Sequence, residues 1–208
     1  MNFVQLIDQT ADKFESIIHA HSANLQVIPT EDYGWHNTRW FSSQFRLAHL
    51  ERFRQPKFSV LHMVVFPHVT DPSPIWGFDI IASDTKATGV FFDRSPTLNC
   101  WGPITSLNLG TSRSRPEWGD IFSDHWIACR PTYAEAEHIC ELACEVLTDY
   151  LLKINQTHSA RILDIIQAQN RYSLQQRKNT HTTTVISKLL GEPRGTQFIN
   201  EILFPVIK

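Results

Sequence analysis

Leu61-His62-Met63-Val64-Val65-Phe66-Pro67, then His68 to Ser73, then Pro74-Ile75-Trp76-Gly77-Phe78-Asp79-Ile80-Ile81 form two apolar runs joined by a stretch of turn-forming residues. Runs of this length, rich in β-branched and aromatic residues, predict two strands, and their short connection requires antiparallel pairing. A register symmetric about Thr70 and Asp71 sets His62 directly opposite Asp79. Cross-strand neighbours have Cβ atoms roughly 4.5 to 5.5 Å apart, so the imidazole and the carboxyl group are within reach of each other. Desolvation between apolar strands raises an aspartate pKa and a protonated histidine opposes that rise, so the two would share a proton and titrate as a unit. On spacing alone a second reading stands beside this one. Buried polar residues commonly do no more than satisfy each other inside a sheet.

Outward from this hairpin, Ala87 to Asp93 predicts a further strand, as do Trp40 to Phe53 and His125 to Cys129. The period then changes. Val4 to Ala20, Ala134 to Ile154 and Ala160 to Gln176 repeat their apolar positions with helical spacing, and shorter helical pieces are predicted over Thr183 to Leu190 and Thr196 to Leu203. Strands in the middle and helices at both ends predict an α+β fold, an antiparallel sheet covered by helices.

The chain has 208 residues, 42% of them hydrophobic, enough for one substantial core, so one domain over residues 1–208 is expected. Its 19 basic and 21 acidic residues give a net charge of -2 and no general field for nucleic acid. No apolar run reaches the ~18 residues of a membrane span, and the first residues, Met1-Asn2-Phe3 onward, lack the basic segment, apolar stretch and small cleavage residues expected of a signal peptide. We expect a cytoplasmic monomer. Cys100, Cys129, Cys140 and Cys144 are too sparse for a disulfide framework. Cys140 and Cys144, with His138, lack the common C-x2-C spacing of a metal site and read as buried thiols on an amphipathic helix. G-x-G-x-x-G, G-x4-G-K-[ST] and G-x-S-x-G are all absent, which removes the usual support for nucleotide folds and for a hydrolase nucleophile elbow. Ser123-Asp124-His125 is no triad by virtue of being consecutive. His68 and His125 read as exposed or capping residues.

Read together, Leu61-His62 to Pro67, Pro74 to Ile80, Asp93-Arg94-Ser95-Pro96, Pro116-Glu117-Trp118-Gly119-Asp120-Ile121-Phe122-Ser123 and Arg130-Pro131 resemble the ferredoxin-dependent bilin reductases in order and approximate spacing. The resemblance runs from about Arg46 to the C-terminus, including Gln175 to Asn179 and Glu201 to Phe204. It is closest to the phycocyanobilin-forming branch, whose histidine His62 resembles, and the short chain looks like the small phage-type relatives. Asp79 resembles the family's central proton-donating aspartate. His49-Leu50-Glu51 is similar to a histidine-x-glutamate motif that helps hold and protonate the substrate. Arg113 is similar to an arginine that binds a bilin propionate, a role suited to its planar fork. Gln176, Asn179, Thr180 and His181 fall in the substrate-binding segment. Thr180 stands where many relatives have a second aspartate, and His181 where the branch has a lysine. Glu51 lies one residue nearer His62 than in that branch. In a continuous strand such a slip turns a side chain to the opposite face, unless a turn at Gln55-Pro56-Lys57 absorbs it.

The resemblance implies a three-layer α/β/α sandwich holding biliverdin IXα between the sheet and the C-terminal helices, with no bound cofactor and with single electrons from a reduced 2Fe–2S ferredoxin. Asp79 would be the principal proton donor, tuned by His62, with Glu51 and His49 serving a second protonation. Arg52, Arg54 and Lys57 form a small basic group that would meet an acidic ferredoxin or merely line a solvated strand edge. Trp76, Phe78 and Phe204 read as core before pocket. The expected reaction is a four-electron reduction to phycoerythrobilin through 15,16-dihydrobiliverdin. Phycocyanobilin formation is the alternative product, and a bilin carrier or lyase-like module that holds pigment without reducing it is the alternative class.

Overall fold

A computed structural model describes residues 2–105 and 109–208. The strands are β1 (Gln26–Ile28), β2 (His36–Phe41), β3 (Phe45–Gln55), β4 (Phe58–Pro67), β5 (Ile75–Ala82), β6 (Ala87–Ser95), β7 (Thr111–Ser112) and β8 (Ile127–Arg130). They form one antiparallel sheet in the order β1-β2-β3-β4-β5-β6-β8-β7. The first six strands are neighbours in space as in sequence, the result of joining each to the next by a short connection.

Alternation along each strand sorts its side chains between two helical layers. Leu61, Met63 and Val65 of β4, with Trp76, Phe78 and Ile80 of β5, enter one large core with Phe14 of α1 (Phe3–His21) and Leu147 and Tyr150 of α2 (Tyr133–Lys153). The Phe14 ring meets those of Trp76 and Phe78 edge-on, each at 5.4 Å. Both helices begin with a capping box, Asn2 with Gln5 and Thr132 with Glu135, so their first amide groups are satisfied locally. On the other face Leu47, Val64, Phe66 and Ile75 pack with Ile121 and with Tyr172 of α3 (Ile162–Gln176). That layer continues through α4 (Thr180–Leu190), α5 (Glu192–Gln197) and a π-helical turn over Phe198–Leu203, whose apolar side chains gather around Tyr33. The result is the expected α+β sandwich of three layers.

Several expected boundaries move. Trp40 to Phe53 is not one strand. Ser42 Oγ accepts from the backbone N–H groups of Gln44 and Phe45 at 2.9 and 3.2 Å, which turns the chain between β2 and β3. β1 and β7 have three and two residues, too few for an alternating pattern to be read. The strand expected from His125 begins at Ile127, because His125 N is drawn onto Ser123 Oγ instead of a ladder. α4 starts at Thr180, three residues early, with Asn179 as its cap. No helix among the described residues is long and apolar enough to cross a membrane. Cys140 is buried and Cys144 half-buried on α2, as expected of core thiols.

The β4–β5 connection is tied to the end of α2 by one buried carboxylate. Asp71 accepts from Ser73 N at 2.9 Å and from Asn155 N at 2.6 Å, where Asn155 takes the left-handed φ of 61° that ends the helix. Replacing it orphans two backbone donors. Asp71→Ala is expected to lower stability in urea denaturation by about 2 to 3 kcal/mol, and a loss under 0.5 kcal/mol would show that water replaces the carboxylate freely.

Candidate active site

Register decides which polar side chains meet. Asn37 pairs with Glu51, Glu51 with His62, His62 with Asp79 and Asp79 with Phe91, so these five residues form one row across β2 to β6. The adjacent row on the same face is Arg39, His49, Val64, Gly77 and Asp93. The symmetric register expected for the β4–β5 hairpin is the one observed. Glu51 also stays on the His62 face. Gln55 pairs with Phe58, so Pro56 and Lys57 alone make the turn and absorb the one-residue difference.

His62 Nδ1 and Asp79 Oδ1 are 2.8 Å apart. The His62 side chain is 8% exposed and that of Asp79 33%, so the pair has a buried basic half and an acidic half that meets solvent. Burial works against a charged His62, but the Asp79 carboxylate and its hydrogen bond, with Glu51 behind them, outweigh it and raise the imidazole pKa. Glu51 is pushed up to about 7, chiefly by burial and further by Asp79, while His62 pulls the other way. The Trp35 indole N–H also opposes the rise, without reaching full hydrogen-bond geometry. His49, fully buried, is held well below its ordinary value by desolvation and by the positive charges of His62 and Arg39. Its Nε2 lies 3.3 Å from Asn37 Oδ1, and its ring centroid 5.6 Å from that of His62. The strands thus hold an imidazole that resists protonation, a carboxyl group that retains its proton, and a hydrogen-bonded imidazole–carboxyl pair side by side.

The C-terminal layer roofs the buried half. Phe204 meets the His62 ring edge-on at 6.0 Å. Arg177 fixes that roof by donating to the carbonyl oxygens of Asn200 and Phe204. Tyr172 and Gln176, one turn apart on α3, reach the same face over Gly77, with Gln176 Nε2 donating to the Tyr172 hydroxyl at 3.1 Å. Among the described residues, His62 Nε2 and His49 Nδ1 are buried without partners. Polar atoms so placed cost free energy unless something binds them. Toward β6 the face is more open: Gly77, Asp79, Ile81 and Phe91 are only half-buried, and Arg113 lies over the Phe91 ring at 5.1 Å while donating to Thr88 O at 2.7 Å.

Other expected residues lie elsewhere. Asn179 is spent on capping α4, where its side chain accepts from His181 N at 3.2 Å, and the Thr180 and His181 side chains are exposed at the start of that helix. Trp76 and Phe78 face α1 and α2, while Phe204 is at the site. Arg52 and Arg54 are not free cations: Arg52 pairs with Asp12 at 3.1 Å and Asp8 at 3.7 Å, and Arg54 with Asp8 at 2.5 Å, so their charge is neutralised on the spot. His68 binds Ser42 O at 3.0 Å, and the Ser123 hydroxyl donates to the Asp93 carboxylate while its oxygen accepts from the His125 backbone N–H. Asn37, Arg39, Trp35 and Tyr172 were not singled out from sequence. Gly77 was the available signal for Tyr172, since glycine within a strand marks a close approach.

A sequence profile of the family described as ferredoxin-dependent bilin reductase matches residues 13–205. The chain belongs to that family. The reductase is 28% identical over 183 residues to a phycocyanobilin:ferredoxin oxidoreductase of Trichodesmium erythraeum, covering 81% of this chain and 75% of that protein. It is 30% identical over 189 residues to the enzyme of the same name from Prochlorococcus marinus, with 84% and 76% covered. Among solved structures it is similar to a protein titled PcyX, with 28% identity, a TM-score of 0.70 and coverage of 96% of this chain and 98% of that one. Tomato phytochromobilin synthase, solved in complex with biliverdin, shares the fold at TM-score 0.69 and 16% identity, with 93% and 80% covered. Ferredoxin is therefore the electron donor of this reductase.

Raised folded-state pKa values make a stability signature. A carboxyl group shifted upward binds its proton more tightly when folded, so its contribution is intact at pH 4 and is lost as pH rises from about 4.5 to about 7. His62, also raised, loses its contribution as pH climbs past its unfolded value. Glu51→Gln removes the first effect. Relative to the parent, it is expected to gain up to about 3 kcal/mol between pH 5 and pH 8 in urea denaturation, and an unchanged difference at the two pH values would contradict the buried-acid assignment.

Proposed function

We propose that the reductase converts biliverdin IXα to phycoerythrobilin through 15,16-dihydrobiliverdin, as one domain over residues 1–208 acting as a cytoplasmic monomer. The observation that carries this reading is the row of Glu51, His62 and Asp79, in which the buried imidazole has an Nε2 without a partner among the described residues and the carboxyl group opens to solvent. A tetrapyrrole lying on this face would offer pyrrole N–H groups and lactam oxygens to polar atoms that lack partners. The biliverdin complex of the tomato enzyme, on the same fold, supports the substrate.

Four electrons arrive singly from ferredoxin, so each two-electron stage passes through a bilin radical and consumes two protons. Asp79, the more accessible half of the pair, would give the first proton to the pigment, with His62 orienting it and setting its proton affinity. Glu51, which carries a proton near neutral pH, would serve the later protonation, with the neutral His49 beside it. Arg113, at the open margin over Phe91, would hold a propionate. Gln176 would touch pigment through Tyr172. Asn179, Thr180 and His181 would line the segment beyond it, where the exposed Thr180 and His181 replace an aspartate and a lysine. This absence of the branch's charges at one end of the pigment is the reason for preferring phycoerythrobilin over the phycocyanobilin named in the curated relatives.

Three measurements test the reading. Anaerobic biliverdin with reduced ferredoxin, followed by chromatography, is expected to yield phycoerythrobilin; recovery of phycocyanobilin rejects the product alone, and a single spectral shift without turnover rejects the enzyme in favour of a carrier. Asp79→Asn keeps shape without a transferable proton and is expected to bind biliverdin while losing most turnover, on the order of 10²-fold or more; parent-like turnover would remove Asp79 from its role. Arg113→Ala is expected to weaken binding by about 1.5 to 3 kcal/mol in an absorbance titration, and an unchanged affinity would take it out of the propionate clamp.

A further inference from the structure

We propose that Tyr172, held by Gln176 and given room by Gly77, is a substrate-positioning residue whose hydroxyl donates a hydrogen bond to a lactam carbonyl oxygen of the bilin beside Asp79. The inference rests on the reading of this face as the bilin site and adds a contact to it.

Three observations converge on that hydroxyl. Tyr172 is 5% exposed and its ring packs edge-on against Phe66 at 5.7 Å, so the side chain has one fixed path across the layer between α3 and the sheet. The path ends over Gly77, where a Cβ would stand 3.2 Å from the tyrosine oxygen. Any side chain at this position would crowd the hydroxyl, and the position is two residues from Asp79 on the same face of β5. The hydroxyl also already accepts from Gln176 Nε2 at 3.1 Å, and Gln176 is itself buried. With the amide as donor, the phenol proton is left to give.

Among the described residues nothing receives it. Asp79 Oδ1 is taken by His62. Asp93, next to Gly77 in the row, is occupied by Ser95 Oγ at 2.6 Å and by Ser123 Oγ and N at 2.5 and 3.0 Å. A buried donor without an acceptor is uncommon in a folded protein, and a ligand that brings one removes the cost. Burial and the negative charge of Asp79 both raise the phenol pKa, so Tyr172 stays a neutral donor throughout the working range. The ligand atom must accept only and must lie beside Asp79. The terminal lactam oxygens of an open-chain tetrapyrrole meet both conditions, and holding one of them sets which ring of the pigment meets the proton donor.

The test is a double-mutant cycle on the full chain with biliverdin. Tyr172→Phe keeps the ring on Phe66 and is expected to leave the unfolding midpoint nearly unchanged. It should weaken biliverdin binding about tenfold, the value of one hydrogen bond to a buried partner, and spread the chromatographic products over more than one isomer. Gly77→Ala in the parent displaces the hydroxyl and is expected to give the same loss. In the Tyr172→Phe background it should add little, because the atom it crowds is gone. Parent-like affinity and a single product for Tyr172→Phe would overturn the proposal. So would equal damage from Gly77→Ala in both backgrounds, which would make the glycine's role independent of the hydroxyl. Failure of the parent itself to bind biliverdin would instead reject the underlying site reading and is seen before any variant is made.

Discussion

Antiparallel register between β3, β4 and β5 is the constraint on which the rest depends. Side chains alternate between faces, so Glu51, His62 and Asp79 share a face only if both hairpins hold their pairing without a slip. A shift of one residue in either hairpin would bury a carboxylate among Phe14, Leu147 and Tyr150 and turn an apolar residue toward the site. The large core on the α1–α2 face thereby enforces the geometry of the polar face. Fully buried residues such as Met63 and Phe78, which pack into the core on the opposite face, are what hold His62 and Asp79 opposite each other.

The polar face, in turn, is worked by its surroundings. Burial alone would make the two histidines neutral and leave Glu51 protonated. It does so for His49 and Glu51, but two neighbouring carboxyl groups reverse the outcome for His62. One strand pair therefore carries imidazoles of opposite tendency 5.6 Å apart. Groups whose environments push their affinities apart are the basis on which acid and base assignments can be made. Arg177 and Phe204 complete the arrangement by closing the His62 side while the Asp79 side stays open, giving the face a closed end and an open end.

Much of this was legible in the chain. The central hairpin announces its register because both strands are long, apolar and bounded by turn residues, and the pairing of His62 with Asp79 follows from a connection centred on Thr70 and Asp71. The helices were legible from their period. The β2–β3 turn was hidden because Ser42 makes it with its side-chain oxygen, without glycine or proline. Glu51 was uncertain because its face hangs on whether two residues or three make a turn, which composition does not state. The neutralisation of Arg52 and Arg54 by Asp8 and Asp12 could not be read, since the partners lie about forty residues away on a helix whose rotation is fixed only by packing. Tyr172 reads in sequence as an ordinary helical aromatic until Gly77 is found beneath it.

The central claim is that Asp79 and His62 act as one proton-holding unit against a bound bilin. The most direct measurement is a pH titration of the absorbance of biliverdin bound to the parent and to Asp79→Asn, without ferredoxin. If the unit shares its proton with the pigment, the spectral transition of the bound pigment in the variant moves by about one pH unit or more relative to the parent, because one unit corresponds to about 1.4 kcal/mol of lost coupling. Superimposable titrations in the two proteins would contradict the account.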